Sequence, residues 1–350
     1  MKKGFKILLI VSCILVIVGL IITIAALIFG ASESLGDLSA EINKVLGFID
    51  DDFYEPPLDF DGTIAAAPGA DSFVSVDLDS DQPIEIDPAT IRAINIEWIA
   101  GDVIITGGAP EFLIEENNST SHKTVCILKE GVLYIKYKEN MSGINLSAIN
   151  EKKDIAIRLP ITDRNSFDYV SVSGASSKLD IANITANKID IGTASGDCEL
   201  FTVNAAELDI GTASGNITLH GVFDNVECST ASGTISGDGE YGKFSADTAS
   251  GDVMMGGSFG EFSAETASGD VTLLSDHGPY DLDVETASGD VDITVFEDST
   301  LSIVLEFDSG SGKAKSEYFS GKGKHKIGDG RFVAEYEIDT ASGDLTFDMR

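Results

Sequence analysis

The sequence predicts an all-β chain, a single-stranded parallel β-solenoid (β-helix) with an N-terminal transmembrane helix, and three observations lead there. The tetrapeptide Thr-Ala-Ser-Gly begins at Thr193, Thr212, Thr230, Thr248, Thr266, Thr286 and Thr340, with spacings of 19, 18, 18, 18, 20 and 54 residues. Self-similarity at a near-constant period of this length marks a repeat architecture. Apolar residues flank each copy in alternation, and 36 glycines against 8 prolines fit turn-rich β structure. Ahead of all this lies an uncharged apolar run over 7–29, whose length at 1.5 Å per residue suits a bilayer core.

The N-terminal elements follow from charge. Lys2, Lys3 and Lys6 precede the apolar run and Glu33, Asp37 and Glu41 follow it. The positive-inside rule therefore leaves residues 1–6 in the cytoplasm and exports what comes after. A cleaved signal peptide would have a shorter apolar core and a small-residue cleavage site, so an uncleaved single-pass anchor is the expectation. Over 30–70, Leu35, Leu38, Ile42, Val45, Leu46 and Ile49 recur at helical spacing before Asp50-Asp51-Asp52 and Pro56-Pro57. They suggest a juxtamembrane amphipathic helix and a spacer.

From 71 to 350 the pattern alternates with period two, as in Ile94-Asn95-Ile96-Glu97-Trp98. Regular rungs are expected over about 165–350. Positions two and four before each motif threonine are mainly apolar, among them Leu208/Ile210, Phe244/Ala246, Phe262/Ala264 and Leu282/Val284. Positions five and seven after it repeat the pattern, as in Ile217/Leu219 and Val271/Leu273. Side chains alternate across a strand, so each unit reads as strand, tight turn, strand with one inward face. One such unit cannot bury that face alone, and stacking supplies the partner. Degraded rungs are expected at Gly174 and at Ser309-Gly310-Ser311-Gly312, and a Lys- and Gly-rich inserted hairpin over about 313–335.

Inside the motif, Gly is expected to supply a positive φ, and Asp or Ser oxygens to accept nearby turn amides. The residue after Gly is Asp197, Asn216, Thr234, Asp252, Asp270, Asp290 or Asp344. Stacked carboxylates in water repel by about 1 kcal/mol, which one net hydrogen bond of about 0.5–1.5 kcal/mol can offset. Asn216 and Thr234 keep an oxygen and drop the charge, which favours hydrogen bonding over a calcium column.

Chemistry-bearing patterns are sparse. His122, His220, His277 and His325 stand in unrelated contexts with no second ligand at metal spacing. The motif serines recur once per rung, whereas a nucleophile is normally unique. Cys198 and Cys228 fall at inward positions and read as small core side chains. The sequence therefore points to no catalytic residue, no cofactor-binding residue and no metal site, and to no enzyme. Lys and Arg total 23 against 58 Asp and Glu, a formal charge of −35, which repels phosphate backbones and excludes a nucleic-acid partner.

The lysine-flanked anchor, the run Ile157-Arg158-Leu159-Pro160 and the serial Thr-Ala-Ser-Gly-Asp-Val units resemble the bacterial membrane-anchored putative-adhesin family, a domain of unknown function with serial β-strand repeats. The resemblance covers about 71–350. It implies a membrane-attached β-solenoid of the cell envelope, and carries no binding residues with it. The expected function is a non-enzymatic, extracytoplasmic surface protein presenting an acidic solenoid for adhesion, scaffolding or envelope-stress regulation. Its expected partners are the membrane, through the N-terminal helix, and an envelope protein or cell-wall polymer. The alternatives are a polysaccharide-acting β-helix enzyme and a calcium-binding accessory protein.

Overall fold

A computed structural model describes residues 74–76, 86–117, 124–137, 151–160, 166–296, 298 and 300–350. The transmembrane helix expected over 7–29 and the juxtamembrane helix expected over 30–70 lie outside the described residues. Among the described residues no helix is long and apolar enough to cross a membrane. Those residues are almost wholly β: every strand belongs to one continuous, mostly parallel sheet, joined by a single 3-10 turn at Pro88–Thr90.

In the middle of the stack each rung is one long bent strand followed by a four-residue turn. The strands Cys198–Thr212, Ile217–Thr230, Ile235–Thr248 and Val253–Thr266 lie in parallel register, with Thr212, Thr230, Thr248 and Thr266 directly superposed. Within Cys198–Thr212 the alternation of buried and exposed residues slips at Phe201/Thr202 and again at Ala206/Glu207. Two adjacent exposed residues are what a corner produces, so the rung wraps its inward side chains around a shared core.

The unequal spacings have a local cause. Thr202 is an extra residue with φ 56° at a register shift between Phe201 and Val203, a bulge that lengthens its rung from 18 to 19 residues. Asn183, with φ 57°, occupies the equivalent place in the preceding 19-residue rung. In the 20-residue rung the strand is interrupted between Val271–His277 and Asp281–Thr286.

Inward columns pack as the period demands. Phe244 stacks on Phe262 with centroids 5.5 Å apart, and Phe223, Tyr241 and Phe259 form a second column at 5.7 and 4.9 Å. The two columns meet edge to face at Tyr241–Phe244 and Phe259–Phe262. Such pairs contribute about 0.5–1.5 kcal/mol beyond the area they bury.

At both ends spatial order departs from sequence order. The rung Ala93–Ala100/Val103–Ala109 lies between the later rung Phe167–Ser176/Leu179–Ala182 and the outermost rung Val132–Lys136/Asp154–Pro160. At the other end, Phe332–Thr340/Leu345–Met349 lies between Asp281–Thr286/Val291–Val295 and Leu301–Ser309/Ala314–Lys315. A linear reading of the repeats places the Ser309 rung next to Thr286, but Thr340 takes that place. Residues expected as an inserted hairpin instead supply two separate strands, Ala314–Lys315 in parallel pairing and Gly323–Ile327 in antiparallel pairing on Leu301–Ser309. Val125–Lys129 and Leu113–Asn117 cover the opposite end in the same antiparallel manner.

Candidate functional site

The repeated turn is the most chemically dense feature of the fold, and each of its residues serves the stack. Threonine comes first: the Oγ1 atoms of Thr212, Thr230, Thr248, Thr266 and Thr286 accept the amides of Gly215, Gly233, Gly251, Gly269 and Gly289 at 2.9–3.0 Å. Ser309 does the same for Gly312 at 2.7 Å. The motif serine donates backwards, Ser250 to the carbonyl of Ala231 and Ser288 to that of Ala267, both at 3.3 Å.

The motif glycine has a different role from the expected one. None of Gly196, Gly215, Gly233, Gly251, Gly269, Gly289 or Gly343 has a positive φ. A Cβ on Gly233, Gly251 or Gly269 would instead lie 1.7–1.8 Å from the carbonyl oxygen of the glycine one rung earlier. The position is glycine because successive turns nest backbone on backbone, which leaves no volume for a side chain.

The residue after glycine also bonds between rungs rather than within its own turn. Asp197 Oδ1 accepts the amide of Asn216 at 2.8 Å, and Asn216 Oδ1 accepts that of Thr234 at 2.9 Å. Asp252 accepts from Asp270, Asp270 from Asp290, Asp290 from Asp344 and Asp344 from Lys313, all at 2.8–2.9 Å. A carboxylate that accepts a backbone amide at each step explains how acid can stack in a column. The hydrogen-bonding role inferred from Asn216 holds for that residue. At Thr234 the hydroxyl forms no such bond to the amide of Asp252, and the ladder is interrupted there.

The outward strand positions carry a second set of acids. Asp190, Asp209 and Glu227 superpose, as do Asp247, Glu265, Glu285, Asp339 and Asp308. Burial first, and Asp209 second, push the Asp190 carboxyl up to about 6. Asp209 and Asp247 are raised by burial and then by Glu227. Cations interleave only locally, as at Lys243–Glu261 (3.4 Å) and Lys188–Glu207 (3.9 Å). Among the described residues no group of three or more His, Cys, Asp and Glu is arranged to hold a metal ion.

Two further clusters flank the regular stack. At one end Lys153 is fully buried: its Nζ donates to the Tyr137 carbonyl at 2.7 Å and the Thr124 hydroxyl at 2.5 Å, with Glu116 Oε2 at 3.6 Å. The rings of Tyr137 and Trp98 lie 4.5 and 5.2 Å from it, and Trp98 Nε1 donates to the Lys153 carbonyl at 2.7 Å. At the other end Lys322, Lys324 and Lys326 are exposed around the antiparallel strand Gly323–Ile327, where Lys322 Nζ reaches the Gly310 carbonyl at 3.2 Å.

Cys198 and Cys228 are buried, free thiols, and burial pushes Cys198 up to about 12. The buried lysine went unseen in the sequence, as did the turn Trp98-Ile99-Ala100-Gly101-Asp102, a form of the motif with tryptophan in place of threonine. The signal for the turn is the register, since Trp98 superposes on Gly174 and Gly174 on Thr193.

Among the comparisons with known proteins, a family model is what places the chain. No curated protein matches the chain. One similar solved structure is described as a putative cell adhesion protein from Clostridium sporogenes, at 13% identity and a TM-score of 0.26, covering 80% of this chain and 99% of that one. The family model described as Toastrack DUF4097 matches residues 91–348, which span the stack from its first rung to its last strand. With most of its length accounted for in this way, the chain belongs to the Toastrack DUF4097 family.

Proposed function

We propose that this chain is a non-enzymatic, membrane-anchored envelope protein that presents a rigid acidic solenoid outside the cell for adhesion or scaffolding, or for sensing envelope stress. The observation that carries the reading is how the repeat spends its polar groups. The serine and aspartate side chains of the motif turn are used in bonds that hold rung to rung and its threonine in closing the turn onto its own glycine, while the strand carboxylates form continuous outward columns from Asp247 to Asp308. A surface built in this way offers regularly spaced negative charge, suited to a partner with amines at intervals along its length.

Immobilised full-length chain, challenged with detergent-solubilised envelope proteins and with wall polymers, tests the reading. Capture of a cationic partner that weakens with rising salt is expected. Turnover of a polysaccharide without stable capture would sink it in favour of the enzymatic alternative, and saturable micromolar calcium binding would favour the accessory role.

A further inference from the structure

The Thr340 rung is the one place after Thr193 where a rung sits between two rungs that both precede it in sequence. Tyr336 and Ile338 face Leu282 and Val284 on one side and Leu305 and Phe307 on the other, all of them buried. Its turn is held from both sides as well: the Asp344 amide bonds to Asp290 Oδ1, and Asp344 Oδ1 takes the Lys313 amide, each at 2.8 Å. Gly343 nests on Gly289, and Gly312 nests on Gly343.

Nothing in these contacts depends on the covalent link to the preceding rung. That link runs over 316–331, is largely exposed apart from Ile327 in the strand Gly323–Ile327 paired on Leu301–Ser309, and places Gly321, Gly323 and Gly328 at φ 82°, 102° and 76°, backbone that glycine adopts without strain. The slot also has a second way to close. In Ser309-Gly310-Ser311-Gly312-Lys313, Ser311 and Gly312 match the Ser342 hydroxyl, which donates to the Ala287 carbonyl, and the Gly343 that nests on Gly289, so the Ser309 rung can seat directly on Thr286 once Thr340 withdraws.

We propose that the Phe332–Met349 rung is an exchangeable donor element, and that its partner is a second copy of this chain, each copy filling the other's slot. The exchanged rung would make the bonds and apolar contacts seen here, so the balance between single and paired copies rests on the link and on concentration. Strand exchange is also the route the fold leaves open, because antiparallel strands cover both ends of the stack and the lysines of Gly323–Ile327 oppose edge-to-edge addition.

The test uses two differently tagged full-length copies in detergent, mixed, held just below the thermal midpoint and cooled. Mixed dimers that co-purify through either tag are expected. Glu285→Cys combined with Asp339→Cys supplies the lock, because the two positions face each other across the slot. Oxidised before heating, that variant should lose exchange; reduced, it should regain it. Oxidised after exchange, it should give covalent dimers above the level of the parent protein treated identically. Absence of mixed dimers from the unlocked protein overturns the proposal, as does exchange that proceeds equally in the locked one.

Discussion

The rungs between Thr193 and Gly289 and the rungs at the two ends solve the same problem with different chemistry. In the middle, each turn closes on itself from threonine hydroxyl to glycine amide and is then completed by its neighbouring copies: serine hydroxyl to alanine carbonyl, carboxylate to the following amide, glycine against glycine. At the ends there is no next copy. Near Trp98 the threonine column gives way to Trp98 and Tyr137 packed around Lys153, and near Ser309 the column closes with the Thr340 hydroxyl donating to Ser309 at 3.0 Å. A repeat can rely on its own periodicity only where a neighbour exists on both sides, and its last units need side chains that finish the job locally.

The largest expected effects probe the core in the middle of the stack and at its end. Phe262→Ala opens a cavity beneath Phe244 and should cost about 3–5 kcal/mol, while the outward Glu265→Ala should cost under about 0.5 kcal/mol. Equal shifts in thermal unfolding for the two variants would break the inward assignment. At the end of the stack, Lys153→Ala leaves Glu116 without its buried cation and should also cost about 3–5 kcal/mol. Hydrogen exchange should show the loss concentrated at residues 93–160, and uniform loss along the stack would show that the ends and the middle unfold as one unit.

A smaller but more diagnostic effect comes from the nested glycines. Gly251→Ala forces a methyl against the Gly233 carbonyl and should cost about 1–3 kcal/mol or more, whereas Gly192→Ala, with open space at its Cβ, should be close to neutral. Denaturant midpoints for the pair separate close backbone approach from backbone entropy as the reason for glycine. Thr234→Asn should restore the missing step of the ladder and stabilise by about 1 kcal/mol, read in the same titration. A loss of stability would show that a carboxamide at position 234 does not reach the amide of Asp252.

The smallest effect is that of pH. The Asp190 carboxyl, at about 6, and the raised Asp209 and Asp247 take up protons in the folded state before they would in the unfolded chain, against the partial counteraction of Lys188. A raised carboxyl contributes stability that is present at low pH and is lost as pH rises through the folded value. The thermal midpoint should therefore be higher at pH 5 than at pH 7, and Asp190→Asn should flatten that slope.

Much of this was legible in the residues themselves. Period, inward columns and acidic outward positions follow from spacing, because a strand's two faces are assigned by counting alone, and Phe244 lies on Phe262 as an 18-residue repeat requires. The turn residues announced that they matter, yet the reasons for the serine, the glycine and the acid lay in the neighbouring rung, which no single repeat contains. The motif glycine answers not to φ but to the carbonyl stacked beneath it. Trp98 and Lys153 gave no periodic signal because end caps are used once.

The sequence by itself thus determined the unit, its length and which side chains face the core, since these depend on local alternation and on the identity of seven recurrent turns. Only the tertiary structure decided the order in which the end rungs stack. The Thr340 and Ser309 rungs carry closely similar turn residues, so either could lie on Thr286 by local chemistry. What distinguishes them is the long-range packing of Tyr336 and Ile338 between Leu282/Val284 and Leu305/Phe307.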